Sequence, residues 1–194
     1  SALSAHVGKD DLHVHAIYGL GTIARRQRER GESAAMAPLV KVLIDNLAAA
    51  PSRPLRIHAL RALANAGDAT ALQAVRPWLA DENDIVRAAA VDALRLMDHP
   101  AIDGILVQQL REGSDPVALA ALDAIAVRKP TVELERVLVA TVTDGKKPSV
   151  RIKAVKALAS WLPTRPSLRA TLAEASQKDP AEAVRKAAAQ ALGQ

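Results

Sequence analysis

Histidines, a knot of carboxylates and three basic strings are the residues of this 194-residue chain whose types could do chemistry. His13 and His15 form a His-x-His pair. On a helix, residues two apart point to nearly opposite sides, so this pair cannot close on one metal ion as an i, i+4 pair does. Asp81, Glu82 and Asp84 crowd one short stretch and could bind calcium or move protons. Three carboxylates at a helix start are accounted for equally by the positive end of the helix dipole. No His-Glu dipeptide, phosphate-cradling glycine loop, nucleophile elbow or dinucleotide fingerprint occurs among the nine Gly, and there is no Cys to serve as nucleophile or thiolate ligand. These residues point to no catalytic group, no metal ligand and no cofactor, and the expectation is a protein that is not an enzyme.

The basic strings raise nucleic acid as an alternative. They are "ARRQRER" (24–30), "DGKKPSVRIKAVK" (144–156) and "AVRKA" (183–187). Residues 1–127 hold 13 Lys/Arg against 15 Asp/Glu and residues 128–194 hold 13 against 6, so the net charge of +5 belongs to the C-terminal third. Such an end attracts an acidic partner without saying which kind. Sites for single-stranded nucleic acid also offer rings for stacking, and here only Trp161 lies near the basic end. "ARRQRER" closes an apolar-periodic helix, where cations suit the negative dipole end. Nucleic acid is the weaker reading.

These side chains must be carried by helices. The chain has no Phe, one Tyr and two Trp, so its interior is aliphatic and alanine-rich. Ala has the highest helix propensity and lets helix axes approach, whereas a sheet would want β-branched and aromatic residues. No run of 18 apolar residues is present, so no transmembrane helix is expected.

One pattern recurs six times: "LHVHAIYGL" (12–20), "LRIHALRAL" (55–63), "VRAAAVDAL" (86–94), "VALAALDAI" (117–125), "VRIKAVKAL" (150–158) and "VRKAAAQAL" (184–192). The central residues Ala16, Ala59, Ala90, Ala121, Ala154 and Ala188 are 43, 31, 31, 33 and 34 residues apart. Periods in this range signal a solenoid of two-helix units. Within each copy the apolar positions i, i+4 and i+8 share one helix face. Between copies lies a second periodic segment, such as "MAPLVKVLIDNL" or "AIDGILVQQL". Each unit is therefore an A helix and a B helix, with B helices expected near 12–24, 55–66, 85–97, 116–127, 149–161 and 181–192. Pro38 and Pro77 fall inside A helices and should bend them. Asp115 with Pro116, and Asp179 with Pro180 and Glu182, read as N-caps followed by a first-turn proline.

The string "AVRPWLADENDIVRAAAVDALRLM" (74–97) resembles a HEAT repeat: a proline in the first helix, an acidic turn, then Val-Arg and an Ala/Leu ladder. The resemblance covers essentially the whole chain and implies a single all-α domain over residues 1–194, a right-handed α-α superhelix of about six two-helix repeats. The family's turn arginine is matched at Arg56, Arg87, Arg151 and Arg185. It is missing at His13 and Ala118, so an Arg–Asp ladder across the turns is expected to fail at the first and fourth repeats. A narrower similarity, carried by "AIYGLGTIARR", the first spacing of 43 and "IHALRALANAGDATALQAV", is to the helical domain of vitellogenin-type large lipid-transfer proteins. It implies a lipid partner only together with flanking domains.

The first copy has little room for an A helix before it, and neither end shows a clear polar cap of the sort solenoids need. The chain is therefore expected to be a window from a longer protein, with flanking repeats or domains of the same polypeptide as partners.

In such a solenoid the B helices form the binding face. Two positions after the central alanine stand Tyr18, Arg61, Asp92, Asp123, Lys156 and Gln190. One before it stand His15, His58, Ala89, Ala120, Lys153 and Ala187. The ladder reads aromatic and basic, then acidic, then basic. It suits a protein or peptide partner of complementary charge better than a polyanion. The function implied is non-catalytic protein binding or scaffolding, with Asp92 as the expected grip on anything basic.

Overall fold

The computed structural model describes residues 2–193, with side-chain burial from Leu12 to Gly193. The expected cut ends at Ser1 and Gln194 lie outside the described residues. Among these the secondary structure is helical and contains no strand. The helices are α1 (Ala2–Glu29), α2 (Ser33–Ala49), α3 (Arg53–Ala66), α4 (Leu72–Val75), α5 (Asp84–Ala93) and α6 (Ile102–Glu112). They continue as α7 (Asp115–Ala126), α8 (Val132–Asp144), α9 (Pro148–Trp161), α10 (Arg169–Lys178) and α11 (Glu182–Leu192). The six B helices of the repeat are α1, α3, α5, α7, α9 and α11. No described helix is long and apolar enough to cross a membrane.

The helices gather in two compact units, residues 1–99 and 100–194. In the first, α3 packs between α1 and α5, with α2 against both α1 and α3. In the second, α9 packs between α7 and α11, and α6, α8 and α10 each lie against the B helix that follows. The central alanine explains the close stacking: Ala59, Ala90, Ala121, Ala154 and Ala188 are all fully buried. Around them Leu60, Leu63, Leu122 and Leu158 have no exposed surface, each stabilising by roughly 1.5–3 kcal/mol. Gly21 shows how tight this is, because a Cβ there would sit 2.6 Å from the Ala62 carbonyl oxygen.

The first copy departs from its siblings. Leu12 is 74% exposed and Ala16 is also exposed, while α1 buries Ile17, Gly21 and Ala24 instead. The repeat stripe that is covered elsewhere faces outward here.

Several local expectations are corrected. Pro77 does not bend a continuous A helix; the third repeat's A segment breaks into a 3-10 turn (Ala69–Ala71), the single turn α4 and a second 3-10 turn (Arg76–Ala80). The N-cap of α7 is Ser114, with Asp115 already in the helix. Helix α11 starts at Glu182, leaving Asp179 outside it. At α5 the capping group is Asn83, whose side chain accepts from the Ile85 and Val86 amides at 3.1 and 3.3 Å. Asp81 accepts from the Asn83 amide and Asp84 pairs with Arg87, so two of the three carboxylates shape one turn, while Glu82 is exposed.

Candidate functional site: turn arginines and the B-helix face

Leu-Arg or Val-Arg opens four of the B helices, and three of these arginines act alike. Arg87 donates to the Asp81 carbonyl at 2.6 Å, Arg151 to the Gly145 carbonyl at 2.7 Å and Arg185 to the Asp179 carbonyl at 2.6 Å. Each therefore reaches back six residues to close its own repeat's turn. Two arginines also reach the acid of the following turn. Arg56 lies 3.5 Å from Asp81 and stacks over Trp78 at 4.4 Å from the ring centre, though its Nε is buried without a partner. Arg151 donates from Nε and Nη2 to the two carboxylate oxygens of Asp179, both at 2.8 Å, with the side chains 8% and 4% exposed. That fork lowers the Asp179 pKa and raises that of Arg151 against the cost of burial. Asp179 also accepts from the Ala181 amide, which is why it shapes a turn instead of capping α11.

At the fourth repeat the ladder is absent on both sides. Ala118 stands where the arginine would be, and Gly145 occupies the acid position of the next turn. The space between them is an open cavity of about 420 Å³ whose lining includes Gly113, Asp115, Ala118, Asp144, Gly145 and Lys147. Lys147 spans it to Asp115 at 2.5 Å, with the acid on the earlier repeat and the base on the later one.

The B-helix face carries the predicted binding residues, and repeat arithmetic explains their contacts. The residue two after one central alanine meets the residue one before the next. Tyr18 and His58 touch in this way, Oη to Nδ1 at 2.9 Å with the rings edge to face at 5.5 Å. A neutral His58 with its proton on Nε2 accepts that bond, and burial followed by the charge of Arg61 lowers its pKa. Asp123 and Lys153 make the second such pair at 2.6 Å, 60% and 32% exposed. His15 and Gln190 are exposed. Two expected features change. Asp92 is not an open acidic grip, because Arg95 binds it at 2.6 Å while also donating to Asn65 at 2.8 Å. The acidic middle of the ladder is thus neutralised at both Asp92 and Asp123.

Arg61 and Lys156 are exposed and form no ion pair with the described residues. At the positions that would face them, the following repeats carry Ala89 and Ala187, which offer no charge. Between α7 and α9 runs a groove of about 380 Å³, with Leu122, Ala126, Ile152 and Ala157 as its aliphatic lining and Asp123, Lys153 and Lys156 as its polar lining.

Trp161 is not a stacking platform: it is 3% exposed and donates Nε1–H to the Arg128 carbonyl at 3.0 Å. Among the described residues no three His, Asp or Glu side chains gather as metal ligands would. The cross-repeat pairs were missed in the sequence because the offset joining them spans two copies of the motif. Spacing alone shows the positions but not which of them face each other.

Comparison with known proteins agrees with this geometry. Among curated proteins no sequence matches the chain. Among solved structures it is similar to a designed armadillo repeat protein in complex with the peptide (KR)4, at 20% identity over 93% of this chain and 90% of that one, with a TM-score of 0.54. That likeness supports an all-α superhelix built of helical repeats. The family model for HEAT repeats matches residues 40–126 and again 102–193. With the alanine ladder, the turn arginines and both matches in register, the chain belongs to the HEAT-repeat family.

Proposed function

We propose that this protein is a non-catalytic binding module that holds a peptide segment of a partner protein on its B helices. The observation that carries the reading is the groove between α7 and α9, where repeat positions place an aliphatic lining among charged side chains. HEAT-type solenoids typically serve as interaction scaffolds, because stacked repeats present an extended surface whose side chains are set by the repeat. The designed armadillo protein with its bound peptide supports a peptide as the class of partner.

A displayed random-peptide library selected against the purified chain tests this. Peptides should enrich, and their binding should fall on Arg61→Glu or Lys156→Glu while surviving Lys41→Glu and Arg136→Glu on the A helices. No enrichment, or enrichment that maps to the A helices, would overturn the reading.

A further inference from the structure

The two cross-repeat contacts described above use up their members. Tyr18 satisfies His58, and Lys153 satisfies Asp123. At the next step along each unit the pairing fails in the same sense, with a cation on one side and an alanine on the other: Arg61 before Ala89, Lys156 before Ala187. In both cases the missing member is a carboxylate. The fourteen residues of α9 contain three cations and no acid. Asp179 takes one, Arg151, and Asp123 takes another, Lys153. Lys156 remains, on the groove lined by Leu122, Ala126, Ile152 and Ala157.

We infer that the partner segment in this groove is acidic and aliphatic, its carboxylate supplying the counter-ion that Lys156 lacks and its apolar side chain seated on the aliphatic lining. This rests on the proposed peptide-binding role and names the chemistry of the peptide. A basic segment would meet only Asp123, already paired, and would set its charge against Lys156. The exposed Asp123–Lys153 pair is weakly held, as surface pairs are, so Lys153 can turn to an incoming carboxylate as well.

Fluorescence anisotropy with three labelled probes tests the charge preference: a twelve-residue peptide repeating glutamate-glutamate-leucine, the same peptide with lysine for glutamate, and a twelve-nucleotide single-stranded DNA. The acidic peptide should bind best and weaken with salt. It should lose about tenfold in affinity on Lys156→Glu and change little on Lys156→Arg, as a charge contact worth roughly one decade requires. Replacing its leucines by glycine should also weaken it. Circular dichroism of each variant confirms that the helices persist. Equal or tighter binding of the lysine peptide, tighter binding of the DNA, indifference to Lys156→Glu, or no binding of the acidic peptide would each overturn the inference. If the library still returns peptides of another charge on the B-helix face, the general role stands and only this assignment falls.

Discussion

Between the fifth and sixth repeats, Arg151 and Asp179 meet in a buried two-pronged fork, and the same arginine closes its own turn through the Gly145 carbonyl. Between the fourth and fifth repeats, Ala118 and Gly145 stand at the corresponding positions, and the turns are joined there by an exposed ion pair of opposite polarity, Lys147 to Asp115. Turn stability in this chain comes from shielded contacts rather than from charge alone. A shielded guanidinium fork fixes two turns at once, and losing one partner strands a buried charge. An exposed lysine bridge is screened by water and salt and fixes little. A Cβ at Gly145 would lie 2.4 Å from the Thr141 carbonyl oxygen and 2.9 Å from the Arg151 side chain, so an acid there requires the turn to shift.

The sharpest way to break the contrast is Asp179→Ala, which leaves Arg151 buried and unpaired and should cost about 3–5 kcal/mol in urea unfolding. A loss below 1 kcal/mol would mean that the fork is dispensable. Its acid dependence follows from the sign of the shift. A carboxylate held below its usual range stabilises fully above pH ~4 and gives up that contribution as pH falls through its lowered value. The stability gap between the natural chain and Asp179→Asn should therefore be constant above pH ~5 and narrow below pH ~4.

Repairing the gap is a smaller effect of opposite sign. Ala118→Arg places a guanidinium in the open cavity, where by repeat equivalence it reaches back to the Glu112 carbonyl. It should add about 1 kcal/mol, the net worth of one hydrogen bond with part of the cavity filled. Destabilisation would show that the cavity walls cannot admit the side chain. Smaller again is Asp115→Ala, expected to cost under about 1 kcal/mol and to lose even that in high salt.

The smallest effect lies in the other unit. The fold favours neutral His58, so its contribution is complete above pH ~6.5 and declines as pH falls below that value. Unfolding stabilities at pH 7.5 and pH 5.5 should differ by less in His58→Phe than in the natural chain.

What could be read from residues alone was whatever repeats with a single period. The six alanines gave the B helices, and the arginines at 87, 151 and 185 marked the turns they close, while Arg56 marked a contact with the turn that follows. Even the missing rung at Ala118 was visible. What could not be read needed a second coordinate. Asp179 looks like a cap because it precedes Pro180, and only the position of Arg151 turns it into a rung. Asp92 looks open because Arg95 lies beyond the motif that ends at Leu94. Lys147 belongs to a turn outside the repeated string, so its bridge to Asp115 has no sequence signature. Ala16 matches the motif fully and is exposed all the same, because burial depends on what lies alongside and not on the residue itself.

The offset between contacting positions has a consequence for how such a surface can diversify. The alanines that set helix spacing and the side chains that line the face occupy different steps of the motif. A substitution at Arg61 or Lys156 leaves the stacking untouched, and a duplicated repeat would bring a ready-made half of a contact to each neighbour. Exchanging Asp123 with Lys153 would invert the sign at one edge of a groove without altering a buried atom. Recognition can thus be rewritten two letters at a time while the frame is inherited unchanged.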